Sequence, residues 1–225
     1  MQQLLLTLTD PPPPSFDNFV CGKNWEVLAT LQKWLQQGAR ETSLYLWGDP
    51  GSGKTHLLAA AHAAAQKNGL VCAWLRGDDL LAQQQIDVLP QLVLVDDAGQ
   101  LTGAQQIALF DLYNRLAQQG GNLIATGQLP PAELDVREDL STRLGWGLVY
   151  RLQSLSEADK VAAMVAHAES RGFNLSLEIA QYLMRHWRRD LPALIQAVDA
   201  LDRYSLQQRK PVTLAVLKQA LLQVE

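Results

Sequence analysis

Cysteine is scarce: the 225 residues hold two, Cys21 and Cys72, at no motif-like spacing. A disulfide framework is excluded, and a chain of this size needs none, so a reducing cytoplasmic setting is expected. Long apolar runs are missing as well; none approaches the roughly 20 residues that a membrane-crossing helix requires. The N-terminus has no cationic region ahead of an apolar stretch, so no secretory signal is read there. A large excess of one charge is also lacking, with 19 Lys and Arg against 23 Asp and Glu, a formal net charge of −4. Residues 1–150 carry 9 basic and 15 acidic side chains, and residues 151–225 carry 10 and 8. Neither part is the basic footprint of a nucleic-acid binder, so little direct DNA binding is expected. Low hydrophobicity is absent too. At 48% hydrophobic and 19% charged, the chain can bury a sizeable core and is not a disordered one.

What is present divides into a tail (1–15), an α/β domain (16–153) and a helical domain (154–225). The tail holds Leu4-Leu5-Leu6-Thr7-Leu8, then Asp10 and four consecutive prolines, Pro11 to Pro14. A proline run cannot continue a helix and favours extended geometry, so it reads as a stiff spacer. Trp25, Leu28, Leu31 and Leu35 fall at helical spacing. Short apolar strands are then predicted at 44–47, 71–75, 92–95, 123–126 and 148–152. Helices are predicted between them at 54–67, near 78–84 and at 104–118, with a short one before the fifth strand. This alternation predicts a five-stranded parallel sheet covered on both faces. After Leu155 the strand signal ends, and Ser156, Ser176, Asp190 and Thr213 each open a helix, giving an all-helical appendage.

Gly48-Asp49-Pro50-Gly51-Ser52-Gly53-Lys54-Thr55 matches G-x-x-x-x-G-K-[ST] between a predicted strand and helix. Glycines at those places let backbone N–H groups face phosphate oxygens, with the helix N-terminus adding its dipole. In that pattern Lys54 reaches the β- and γ-phosphates and Thr55 ligates Mg²⁺. His56, next in the chain, belongs to the same nucleotide-binding segment. The strand at 92–95 runs into Asp96-Asp97. Asp96 is expected to hold Mg²⁺ through water and Asp97 to orient the attacking water as general base. Thr126 closes the next strand, where its hydroxyl is a candidate sensor of the γ-phosphate.

P-loop, acidic pair and helical appendage together resemble an AAA+ P-loop NTPase core with its lid. Narrower features resemble the replication initiator DnaA: Phe16-Asp17-Asn18-Phe19-Val20, Gly53-Lys54-Thr55-His56-Leu57-Leu58 and Ser141-Thr142-Arg143-Leu144-Gly145-Trp146-Gly147. The likeness runs from residue 16 to about 222. DnaA continues into a helix-turn-helix DNA-binding domain, whereas this sequence reaches Glu225 right after the lid. Within that family it therefore resembles the Hda branch, regulatory inactivators of DnaA, as do Phe110-Asp111-Leu112-Tyr113-Asn114-Arg115 and Gly172-Phe173.

The resemblance implies several roles. Gln3-Leu4-Leu5-Leu6-Thr7-Leu8 fits the peptide Gln-Leu-x-Leu-x-Leu that docks on the DNA-polymerase sliding clamp (its β subunit), through Gln3, Leu4, Leu6 and Leu8. ADP or ATP with Mg²⁺ is the implied cofactor, and Arg189 in Arg189-Asp190-Leu191 is the lid cation that meets it. Arg143 is the implied arginine finger, acting on ATP held by DnaA; pairing with Asp139, one helical turn back, is the plainer reading. The implied function is negative regulation of replication initiation. The alternative is a self-hydrolysing AAA+ ATPase, a helicase loader or remodeller whose Arg143 completes a homo-oligomer. Two departures stand out: the P-loop is intact where that branch often has a degraded one, and Gln128 replaces the usual acid after Thr126-Gly127.

Overall fold

The computed structural model describes residues 13–37, 41–83 and 88–222. Residues up to Ser154 form one compact unit and those from Leu155 a second. In the first, α1 (Trp25–Gln37) precedes β1 (Ser43–Trp47), α2 (Lys54–Lys67), β2 (Cys72–Leu75), α3 (Asp79–Ala82) and β3 (Leu92–Val95). There follow α4 (Gly103–Gln119), β4 (Asn122–Gly127), α5 (Glu138–Trp146) and β5 (Leu148–Arg151). All pairings are parallel, in the order β2-β3-β4-β1-β5. The five-stranded parallel sheet expected from the alternation is present. Its edges are shorter than expected at β2 and β5: Val71 lies outside β2 and is 64% exposed.

The uninterrupted apolar strands are explained by burial on both faces. Val93 and Val95 of β3 join Tyr45, Leu123 and Ala125 in one core with Leu109, Leu112 and Leu116 of α4 and Leu140 and Leu144 of α5. The alternate residues Leu92, Leu94, Leu44, Leu46 and Ile124 point to the other face, against Leu31 of α1 and Leu57, Leu58 and Ala61 of α2. Period-two alternation inside a wholly apolar strand is what a doubly covered sheet demands. Helix ends obey local chemistry. Gly120, in the left-handed region, closes α4, while at its start the Gln105 carbonyl accepts from the Thr102 N–H at 3.0 Å.

The second unit holds α6 (Glu157–Ser170), α7 (Leu177–His186), α8 (Leu191–Gln208) and α9 (Leu214–Leu221). Side chains of Ser156, Ser176, Asp190 and Thr213 each accept a backbone N–H at the helix they open. Met164, Ile179, Leu183, Leu194, Val198, Leu201 and Leu217 form its core. Beside it, His167 Nε2 lies 2.8 Å from Asp199 Oδ1, and Arg171 donates to Asp202 at 2.9 Å. No described helix is long and apolar enough to cross a membrane.

Candidate functional site

Strand order builds the site. With β4 between β3 and β1, the loops leaving the carboxyl ends of those three strands lie side by side. The Gly48–Thr55 loop follows β1, Asp96 and Asp97 follow β3, and Thr126 is on β4, paired with Leu46. Parallel sheets bind ligands at this edge, where neighbouring loops diverge.

Glycine is required at two positions of the loop. Gly53, the residue before α2, has φ 100°, and a Cβ there would come within 2.7 Å of Phe19 Cε2. At Gly48 a Cβ would meet the Leu152 carbonyl oxygen at 2.4 Å. Asp49, Pro50 and Gly51 are exposed at the loop's tip, while Ser52 is only 4% exposed. The Ser52 Oγ has no hydrogen-bond partner among the described residues. Lys54 Nζ folds back on the loop, donating to the Gly48 carbonyl at 2.7 Å and to that of Asp49 at 3.0 Å. Desolvation lowers the pKa of this amine below the usual lysine value; Asp97, Asp96 and Asp49 work in the opposite direction. His56 faces the N-terminal segment, its Nε2 3.0 Å from the Ser15 carbonyl oxygen and its ring 5.5 Å from that of Phe19.

Asp96 is the hub. Its Oδ2 accepts from Thr55 Oγ1 at 2.8 Å, and its Oδ1 from Thr126 Oγ1 at 2.5 Å. The fully buried Thr126 hydroxyl also accepts from the Asp97 N–H at 2.9 Å. Asp97 sits in the left-handed region, φ 49° and ψ 62°, uncommon for a residue other than glycine. Its Oδ2 accepts from Gln128 Nε2 at 3.3 Å. A hydroxyl and a carboxylate in contact are hard oxygen donors of the kind Mg²⁺ takes. A lysine on a glycine-bearing loop, with an orphaned buried hydroxyl beside it, suits phosphate. The residues present thus fit a magnesium–nucleotide pair.

Arg143 lies elsewhere, on α5, and its surroundings correct the plainer expectation for it. Asp139 is taken by Arg137, whose Nε and Nη2 donate to it at 3.1 and 2.7 Å. Among the described residues Arg143 has no carboxylate partner; its guanidinium carbon is 3.9 Å from the Trp146 ring centroid, 5.8 Å from that of Phe110 and 5.9 Å from that of Tyr113. In the second unit, Arg189 is well exposed, with Nη1 3.8 Å from Glu157 Oε1. It lines a cleft of about 480 Å³ with Glu157, Val161, Met184 and Arg185. Gln3, Leu4, Leu6 and Leu8 lie outside the described residues.

Three supporting contacts pair residues that the sequence does not link to one another. Phe19 packs over Gly53, Gln128 reaches Asp97, and Asn24 pairs twice with the Gln153 backbone, at 2.9 and 2.8 Å. The unusual residue at 128 was visible, but its partner was not.

Residues 157–221 match the family described as the lid domain of Hda. Domain III of the replication initiation protein DnaA from Thermotoga maritima is similar with a TM-score of 0.78 and 22% identity, over 95% of this chain and 97% of that one. DnaA from Aquifex aeolicus, solved with AMPPCP bound, gives 0.74 and 21%, over 88% and 67% of the two chains. RuvB from Thermotoga maritima, a Holliday junction branch migration motor, gives 0.69 and 15%, over 92% and 71%. The chain thus has the AAA+ fold of the initiator's domain III, and its second unit matches the Hda lid.

Proposed function

We propose that this protein binds ADP or ATP with Mg²⁺ at the Gly48–Thr55 loop and promotes hydrolysis of ATP held by DnaA. On this reading it is a negative regulator of replication initiation, working in the cytoplasm. The nucleotide supplies phosphates and Mg²⁺ to the site, and the chain's own residues supply the rest. Gly48 and Gly53 keep the loop close to its neighbours, and Lys54 would exchange its two carbonyl acceptors for phosphate oxygens. Thr55 and Asp96, already in contact, would hold the cation, and Thr126 fixes the Asp96 carboxylate from behind. Arg189 would close on the nucleotide from the lid. AMPPCP in the Aquifex aeolicus initiator supports an adenine ligand.

The observation that carries the proposal is Arg143: a cation on the helix before β5 with no acid to neutralise it among the described residues. Delivered to another subunit's γ-phosphate, a guanidinium offers a planar fork of donors where negative charge develops, an effect on the order of 10³–10⁵ in rate for arginine fingers. Residues 3–8 would tether the chain to the sliding clamp, with Gln3 at a polar rim and Leu4, Leu6 and Leu8 on apolar surface. The deciding experiment measures hydrolysis of ATP bound to DnaA in the presence of DNA-loaded clamp. Arg143→Ala should retain nucleotide and clamp binding yet fail to stimulate; full stimulation by this variant removes the mechanism.

A second reading has its own observation. The intact loop and the Asp96-Asp97 pair are the parts a self-hydrolysing ATPase needs, with Asp97 as base. Turnover by the chain alone, lost in Arg143→Ala, would favour that homo-oligomeric enzyme. The hydrogen bond from Gln128 to Asp97 Oδ2 weighs against it, because it engages an oxygen the base would use.

A further inference from the structure

An arginine on a helix surface ordinarily samples many rotamers, and ordering it needs a partner. Arg143 has aromatic partners instead of an acid. Trp146 follows it by three positions on α5, so both occupy one helical face. The separation of 3.9 Å from the Trp146 centroid is stacking distance, and Phe110 and Tyr113 of α4 lie within the range of a weaker attraction. Of the three rings, Tyr113 is 4% exposed and belongs to the core, whereas Trp146 is 65% exposed. Trp146 is not what anchors α5; the fully buried Leu140 and Leu144 do that. A large ring left in solvent, with a cation laid on it, calls for an explanation other than stability.

Chemistry supplies one. A carboxylate partner would hold the guanidinium but would also occupy its N–H donors and cancel its charge. A ring face attracts the cation through its π electrons and leaves the edge N–H groups unused. The one carboxylate within a helical turn, Asp139, is engaged by Arg137. We infer that Trp146 is the positioning residue for Arg143, holding its guanidinium in place with every donor available for the phosphate oxygens of a neighbouring subunit's nucleotide. This role rests on the trans-acting reading of Arg143.

The test titrates the full chain into ATP-loaded DnaA with DNA-loaded clamp and follows hydrolysis. Trp146→Ala should lower the maximal rate by about threefold to tenfold, the range a stack of this strength allows, with the half-saturating concentration unchanged. Trp146→Phe, which keeps a π face, should restore most of the rate, and Trp146→Leu, apolar without one, should not. Nuclear magnetic resonance of the chain alone reads the stack directly: ring current shifts the Arg143 side-chain protons upfield, and Trp146→Ala should release them. Equal rescue by Phe and Leu, an effect confined to half-saturation, or Arg143 resonances that ignore the substitution would each overturn the inference. If Arg143→Ala also stimulates fully, the trans-acting reading itself has failed. If Arg143→Ala is inactive while Trp146→Ala keeps the full rate, only the role of Trp146 falls.

Discussion

Replacing Thr126 by valine isolates the hydroxyl at the centre of the site, because the two side chains have nearly the same shape. Thr126 is 0% exposed, and its Oγ1 does two things: it donates to Asp96 Oδ1 at 2.5 Å and accepts from the Asp97 N–H at 2.9 Å. Valine leaves no cavity but strips both partners. Asp96 retains Thr55 Oγ1, so its loss is partial. The Asp97 N–H, part-buried in a left-handed turn, loses the acceptor given to it, which places the cost at the low end of the about 1–3 kcal/mol of an unmet buried donor. Urea denaturation should then show a loss of about 1 kcal/mol, equivalent to a midpoint lower by about 0.5 M at a slope of about 2 kcal/mol per M. Thr126→Ser keeps the hydroxyl and should bind magnesium nucleotide as the wild type does, whereas Thr126→Val should bind it more weakly through a misplaced Asp96. A valine variant within about 0.5 kcal/mol of wild type, with unaltered nucleotide affinity, would refute the view that one hydroxyl organises both acids; surface changes typically stay within that margin.

The remaining expectations are simpler. Lys54→Ala should lose ADP binding by calorimetry, since Nζ is the cation that faces the loop, and Arg189→Ala should weaken it; unchanged affinity in both overturns the nucleotide assignment. Deleting residues 1–8 should abolish capture on immobilised sliding clamp while the melting temperature stays nearly constant; clamp capture that survives the deletion removes the tether.

Much of the fold was legible because its signals are local. Apolar strands alternating with capped helices require only neighbours in sequence, as Ser156, Ser176, Asp190 and Thr213 show at the helices they open. Gly53 was readable too, since a strand-to-helix turn at φ 100° excludes a side chain whatever surrounds it. Arg143 shows where local reasoning stops. Helical spacing alone pairs it with Asp139, but Arg137, two residues upstream of that acid, reaches it with two hydrogen bonds and leaves Arg143 to the rings of α4 and to Trp146.

The type and order of the elements, the phosphate-type loop and the two acids after the third strand are local features of the chain. Tertiary structure decided that these meet. Thr55 and Asp96 are 41 residues apart, Thr126 a further 30, and they touch because β4 lies between β3 and β1. Nothing in any one of these three strands encodes that order, since each is almost wholly buried on both faces and would satisfy its backbone beside any other. Which strand sits beside which is settled by how all the connecting helices cover the two faces at once, a property of the whole chain rather than of any segment.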